Sequence, residues 1–151
     1  MRTAKNILDS KQKIFNIVDP ETLVIDALSM MNTVNLSYVV VLEQGDYRGI
    51  FSERDHIRNV ILKGLSSDTT QVKEVMTSDL PMVAISDTVE HCMKTMILHK
   101  SRYLLAFEAN NKFAGVVTIH DLLREVINNK QGVFDHAAKK LLDHDEHGYV
   151  Y

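Results

Sequence analysis

Two short motifs of the same form carry the residues best suited to chemistry. Each reads glycine, two apolar residues, a hydroxyl residue, two variable residues and an aspartate, at residues 49–55 and 115–121. The hydroxyl and acidic residues are Ser52, Asp55, Thr118 and Asp121. A helix N-terminus offers free amide donors, so a phosphate could bind there with help from the hydroxyl. One turn further on, a carboxylate could accept hydrogen bonds from both hydroxyls of a ribose. The spacing therefore fits a ribose phosphate.

The same motif has a simpler interpretation. A hydroxyl residue followed three positions later by an acid is also the pattern of an N-terminal helix cap. For one copy alone, the cap would be favoured. Two copies, each preceded by glycine and two apolar residues and followed by an arginine and a Val-Ile pair, favour a paired ligand site. A cap and a binding site can coexist.

The elements that must position these motifs are themselves repeated. Residues 14–43 align without a gap on residues 79–108, so that Tyr38 matches Tyr103. After a one-residue difference in the next turn, the two motifs also fall into register. An internal duplication of this kind decides the architecture before local propensity does.

Each copy predicts the order β-α-β-β-α, a mixed α/β (α+β) unit. Hairpin strands are predicted at 38–42 with 48–51, and at 103–107 with 113–117. The second helix of each copy should place apolar residues on one face: Ile57, Val60 and Ile61, and Leu122, Leu123, Val126 and Ile127. Neither copy buries much alone, so we expect the two to pack face to face with pseudo-twofold symmetry.

The chain divides into two predicted domains and a tail. The first domain covers residues 10–66, the second residues 72–130, and a short helix is expected at 71–76 in the link. Residues 131–151 form a C-terminal tail, helical over 133–142 in this interpretation. Its histidines and acids could gather a metal, but a solvated tail is the favoured interpretation, so we predict no metal site.

Composition excludes several classes of protein. The 151 residues are 45% hydrophobic and 25% charged, as in globular proteins, and the formal charge of −3 disfavours nucleic-acid binding. The longest apolar runs are too short for a membrane span, and no apolar signal core follows Met1, so we expect a cytoplasmic protein. The single cysteine, Cys92, excludes an internal disulfide and is expected in the core. No phosphate loop or catalytic motif is present, so we predict no enzymatic activity.

The chain resembles the cystathionine-β-synthase (CBS) domain family, arranged as the tandem pair called a Bateman module. The resemblance covers residues 10–130 and depends on both motifs, on Pro-Glu-Thr-Leu-Val at 20–24 and on Val-Met-Thr at 75–77. It implies binding of AMP, ADP, ATP or NAD in two clefts between the repeats, each cleft completed by the opposite copy. It also implies association into disk-like homodimers.

The resemblance also assigns roles to individual residues. It places the motif aspartates on ribose, the motif hydroxyls on phosphate, and Ile50 and Val116 beside adenine. Arg102, whose repeat counterpart is Ser37, stands where the family often places an arginine on phosphate. The residues before each motif aspartate, Arg54 and His120, are expected near the ligand. Because of Arg102, we expect the second site to bind more tightly.

The resulting hypothesis is a regulatory module that signals energy or redox state to a protein partner. One alternative is a structural or interaction protein whose clefts stay empty and which acts through its dimer surface and tail. A second alternative is a small enzyme that uses a metal bound at the tail.

Overall fold

The computed structural model describes residues 1–11 and 16–129, which form two compact units. Helix α1 (Ala4–Ser10) begins the chain. The first unit contains residues 16–79, and the second unit contains residues 1–11 and 80–129. Each unit therefore holds one sequence repeat. The predicted tail helix lies outside the described residues.

The first unit has a three-stranded sheet. Its elements are β1 (Ile17–Val18), α2 (Val24–Val34), β2 (Tyr38–Glu43), β3 (Asp46–Ser52), α3 (Glu53–Asp55), a π-helical segment (His56–Ile61) and α4 (Val72–Val75). Strand β1 runs parallel to β2, and β2 pairs with β3 in an antiparallel hairpin. The pairing of Tyr38 with Ser52 brings the end of β3 beside the start of β2.

The second unit repeats this arrangement. Its further elements are β4 (Met82–Ala84), α5 (Val89–His99), β5 (Tyr103–Phe107), β6 (Phe113–Thr118) and α6 (Ile119–Asn129). The strand order is β4-β5-β6, with Tyr103 paired to Thr118, and both hairpins shift register near the turn. The predicted β-α-β-β-α order is therefore confirmed in both copies.

Each unit has its own apolar core. In the first, Phe51 on β3 is fully buried among Val24, Val39 and Val60. In the second, Met93 and Met96 of α5 pack with Leu104, Val117 and Leu122. Cys92 belongs to this second core, as predicted, and burial, followed by the charge of Asp87, raises the pKa of its thiol to about 11. The thiol is therefore a packing group.

The predicted apolar face of the second helices is wrong at three positions. In the first unit Val60 is buried, but Ile57 and Ile61 are more than half exposed. Main-chain bonds from Leu62 N to Ile57 O and from Leu65 N to Val60 O span five residues, so the three-and-four spacing no longer holds residues on one face. In α6, Ile127 is 70% exposed because it lies five positions, roughly 140°, from buried Leu122.

The segment before each repeat folds within the other unit. Helix α1, which the sequence analysis missed, buries Ala4 and Ile7 in the second core. The short helix expected at 71–76 is present as α4, and it buries Val72 and Val75 in the first core. The second unit is therefore not one contiguous stretch of sequence, whereas the first unit is.

An ion pair fastens the N-terminal segment to α6 in the second unit. The guanidinium of Arg2 donates to both carboxylate oxygens of Glu125, at 2.6 and 2.7 Å. Hydrogen bonds and the charge of Glu125 raise the pKa of Arg2 above its usual value.

Among the described residues, no helix combines the length and apolar character that crossing a membrane requires.

Candidate functional site

The two motifs form the corners where the last strand of each unit turns into its last helix. We call the turn from β3 into α3 the first corner and the turn from β6 into α6 the second corner. Ser52 and Thr118 end the strands. The backbone amide of the following residue anchors each corner to the start of the hairpin. Glu53 N donates to Ser37 O and Ile119 N donates to Arg102 O, both at 3.0 Å. Arg102 and Ser37 thus occupy equivalent places, as the alignment predicts.

At the first corner, Asp55 is buried and caps its helix. Its Oδ2 accepts hydrogen bonds from Ser52 N at 2.9 Å and from Ser52 Oγ at 3.0 Å. Its Oδ1 accepts from Thr77 Oγ1 at 2.6 Å. In return, Asp55 N donates to Ser52 Oγ. A carboxylate offers about four acceptor sites. A ribose diol would therefore bind through both hydroxyls only if a movable donor, the Thr77 hydroxyl, turned away.

The main chain of Ile50 is held by the same segment. Ile50 N donates to Thr77 O at 2.8 Å, and Thr77 N donates to Ile50 O at 2.9 Å. Gly49 allows this approach, because a Cβ there would stand 3.1 Å from Thr77 O and 2.7 Å from the Met76 sulfur. Thr77 therefore contacts two of the residues that are predicted at a ligand, Ile50 and Asp55.

Tyr47 is close enough to Asp55 for the charge of this carboxylate to act on its hydroxyl. Burial raises the pKa of Tyr47 to about 12, and the charge of Asp55 adds to the shift. Its counterpart in the duplicated hairpin is Phe113, which packs edge-on against Phe107. The two hairpins therefore differ in polarity at this position.

At the second corner, Asp121 is 5% exposed and meets charged donors. Its Oδ2 accepts from Thr118 N and from Lys11 Nζ, both at 2.9 Å. The guanidinium of Arg124 approaches its Oδ1 at 3.5 Å. Asp121 N donates to Thr118 Oγ1, so the helix cap is present here too. Lys11 Nζ also donates to Val116 O at 2.8 Å.

The corners therefore stabilise the same buried carboxylate in two ways. A buried carboxylate is costly unless hydrogen bonds or opposite charge compensate it. Neutral amide and hydroxyl donors surround Asp55, whereas the ammonium of Lys11 neutralises much of the charge of Asp121. The two motifs are alike in sequence but differ in electrostatics.

The structure brings the other predicted site residues to their corners only in part. Ile50 and Val116 are buried in the strands that lead into the corners. Arg54 is half-buried and His120 is exposed, each one residue before the motif aspartate. Among the described residues, no group of three or more His, Cys, Asp or Glu side chains could hold a metal ion. The tail histidines lie outside the described residues.

Two residues at the corners were missed from the sequence, Thr77 and Lys11. In the sequence, Thr77 belongs to the Val-Met-Thr segment at 75–77, and nothing marks it as a partner of Asp55. Its contact with Asp55 spans 22 positions, and no local pattern reports it. The sequence does contain a signal that Lys11 lies near the second corner. Extending the gapless alignment back by three residues pairs Lys11 with Met76, the residue before Thr77.

Comparison with known proteins gives the class of protein. The family model for the CBS domain matches twice, at residues 10–60 and 72–128. A solved structure of a protein with CBS domains from Burkholderia ambifaria is 32% identical, with a TM-score of 0.76 over 85% of this chain and 96% of that chain. The CBS domain-containing protein CBSX3, mitochondrial, of Arabidopsis thaliana is 28% identical over 70% of this chain. That match covers 53% of CBSX3, so the chain spans about half the length of this relative.

The chain belongs to the CBS-domain family and carries two CBS domains in tandem, a Bateman module. CBS domains are regulatory and commonly bind adenosine nucleotides. The fold is shared with a structure of CBSX2 in complex with AMP, with a TM-score of 0.71 and 23% identity over 87% of this chain and all of that one.

Proposed function

We propose that this protein is a regulatory module that binds an adenosine nucleotide at its two corners and signals energy or redox state to a protein partner. The observation that carries the proposal is the matched pair of buried aspartates, Asp55 and Asp121, each placed one helical turn after a hydroxyl at the end of a strand. Carboxylates held in this way are preorganised acceptors for the hydroxyls of a ribose.

The remaining groups divide the work of binding. The hydroxyl of Thr118 donates to phosphate, and that of Ser52 does so after turning away from Asp55. Ile50 and Val116 present apolar surface to the adenine. Arg102 is next to the residue that begins β5, and its carbonyl is fixed to the first residue of α6. A guanidinium starting there adds a charge-assisted contact to phosphate that Ser37 does not match. These groups bind and orient a ligand, and the proposal assigns no catalysis to either corner.

Calorimetry with the full chain tests the proposal. AMP, ADP, ATP and NAD are each titrated, and at least one should give saturable heat and raise the melting temperature at millimolar concentration. Ribose 5-phosphate, which lacks the base, is the control ligand and should bind more weakly than AMP. If none of the four nucleotides gives heat or a melting shift, the proposal is wrong.

One observation favours an alternative function. Both aspartates already accept donors from their own unit, Thr77 at the first corner and Lys11 at the second. A protein that used its corners only to cap helices would show these same bonds. In that case, the chain would act as an interaction protein with empty corners, and the calorimetric test would show no binding.

We further propose that the protein is a homodimer that uses exposed isoleucines of its second helices. Ile61 and Ile127 occupy equivalent repeat positions and are 56% and 70% exposed. Burying a pair of such side chains against a second copy stabilises association through the hydrophobic effect. Light scattering should give the mass of two chains for the natural sequence.

Charged substitutions test the dimer. Ile61→Asp and Ile127→Asp together should produce a monomer, because a carboxylate in an apolar contact is strongly unfavourable. Leu98→Asp is the matched control, since Leu98 is 78% exposed on α5, and this variant should remain dimeric. A dimer that persists in the double variant would contradict the proposed contact.

A further inference from the structure

We infer that Lys11 occupies the second corner when no nucleotide is bound and competes there with the ligand. The inference rests on the proposed function. The ammonium donates to Asp121 Oδ2 at 2.9 Å and to Val116 O at 2.8 Å. These two acceptors belong to the residues assigned to ribose and adenine. A ribose hydroxyl that uses Asp121 Oδ2 must first displace Lys11, because Thr118 N and Lys11 Nζ take both acceptor sites of that oxygen.

The chemistry of the contact supports competition. Asp121 Oδ2 already accepts from the buried amide of Thr118, and Lys11 takes a further acceptor site on the same oxygen. A ribose diol needs acceptor sites on the carboxylate, and its neutral hydroxyls replace a charged donor poorly. The free energy of breaking the contact with Lys11 is therefore subtracted from the free energy of binding.

Lys11 can leave the corner without unfolding it. Its side chain is 26% exposed, and a lysine ammonium sits on a flexible four-carbon stem. Rotation about the side-chain bonds carries the ammonium into water, while helix α1 keeps Ala4 and Ile7 in the core. Lys11 can therefore leave Asp121 while the core around helix α1 stays intact.

The first corner differs, because the group that can turn away from Asp55 is the neutral hydroxyl of Thr77, and the Ile50 carbonyl is held by backbone. There, Thr77 holds the carbonyl of Ile50 through its main-chain amide, inside a two-bond bridge that also fixes Thr77 O. Breaking that contact would move backbone, whereas releasing Lys11 moves one side chain. The duplicated motifs therefore differ in the group that must leave: a charged lysine of the N-terminal segment at the second corner, and a neutral threonine hydroxyl at the first.

The variant Lys11→Met tests the inference by calorimetry with AMP. Methionine keeps the unbranched apolar stem and removes the charged donor. We expect affinity at the second corner to rise about tenfold, the lower end of what a charge-assisted hydrogen bond contributes, because Lys11 is partly exposed. Lys11→Arg, which keeps a cation, should stay near the natural affinity.

Lys5→Met is the matched control for the loss of one positive charge. Lys5 lies on helix α1, which ends just before Lys11, and forms an exposed pair with Asp9, so its replacement should change AMP affinity less than twofold. A double-mutant cycle then locates the effect. In an Asp121→Ala background, Lys11→Met should give no gain.

The outcomes separate the two proposals. An unchanged or lower affinity in Lys11→Met, with the melting temperature preserved, overturns the competition by Lys11 and leaves nucleotide binding intact. A lower affinity would mean that Lys11 contacts the ligand instead. If Lys11→Met does not fold, Lys11→Gln should show a smaller gain, and no gain would overturn the inference. Absence of AMP binding in every variant would overturn nucleotide binding, and the inference with it.

Discussion

Replacing Asp121 by alanine is expected to lower the affinity of the second corner for AMP by about a hundredfold. The carboxylate accepts both ribose hydroxyls in the proposed complex, and hydrogen bonds to a charged group contribute about 1.5–3 kcal/mol each. Losing two such bonds corresponds to about two decades or more in the dissociation constant. Calorimetry should show the loss as one missing site. Loss of the competing contact with Lys11 returns about one decade, and the expected hundredfold loss is what remains of about two to four decades.

The same substitution also removes a helix cap, so its control must separate binding from stability. Thr118 N and Lys11 Nζ both lose their acceptor, and losing a cap costs about 1 kcal/mol. Asp26→Ala removes another first-turn acid, one that is exposed on α2 and distant in sequence from either corner. This control should bind AMP normally. Unchanged binding in folded Asp121→Ala would refute the ribose assignment.

Replacing Phe51 by alanine is expected to lower the free energy of unfolding by about 3–5 kcal/mol, the usual range for a buried aromatic residue. Phe51 is fully buried in the first core, between Ile50 and Ser52 on β3. Since domains are stable by only about 5–15 kcal/mol, the variant should be largely destabilised. Urea denaturation followed by circular dichroism measures the change.

Two further variants show whether the cost comes from burial. Val117, the repeat counterpart of Phe51, is equally buried but smaller, so Val117→Ala should cost less. Leu62 is 74% exposed, and Leu62→Ala should change stability by no more than about 0.5 kcal/mol. Equal costs for Phe51→Ala and Leu62→Ala would mean that the described core does not hold the first unit together.

The sequence predicted most of the fold because the duplication supplies two readings of each element. Tyr38 and Tyr103 both begin strands, and the motif hydroxyls both end strands. The π-helical segment could not be predicted in this way, because the first copy departs from the second there. Its main-chain bonds that span five residues break the three-and-four spacing on which the predicted apolar face depends, and no periodicity in the sequence indicates them.

The candidate site was predicted less completely than the fold. The capping pattern around Asp55 and Asp121 follows from local spacing, and both caps are present. The groups that complete each carboxylate, Thr77 and Lys11, come from segments 22 and 110 positions away. Such contacts depend on tertiary packing, which local pattern does not report.

Because α1 precedes the first unit in the sequence but packs in the core of the second, the two units can fold in only one order during synthesis. Helix α1 leaves the ribosome well before residues 80–129, which build the core that covers Ala4 and Ile7. The first unit contains no residue beyond 79, so it can fold before the residues that cover α1 have been synthesised. Closing that long loop is slow compared with local hairpin formation. A nascent chain stalled near residue 80 would therefore display one folded unit and a tethered apolar helix, a species that chaperones would recognise.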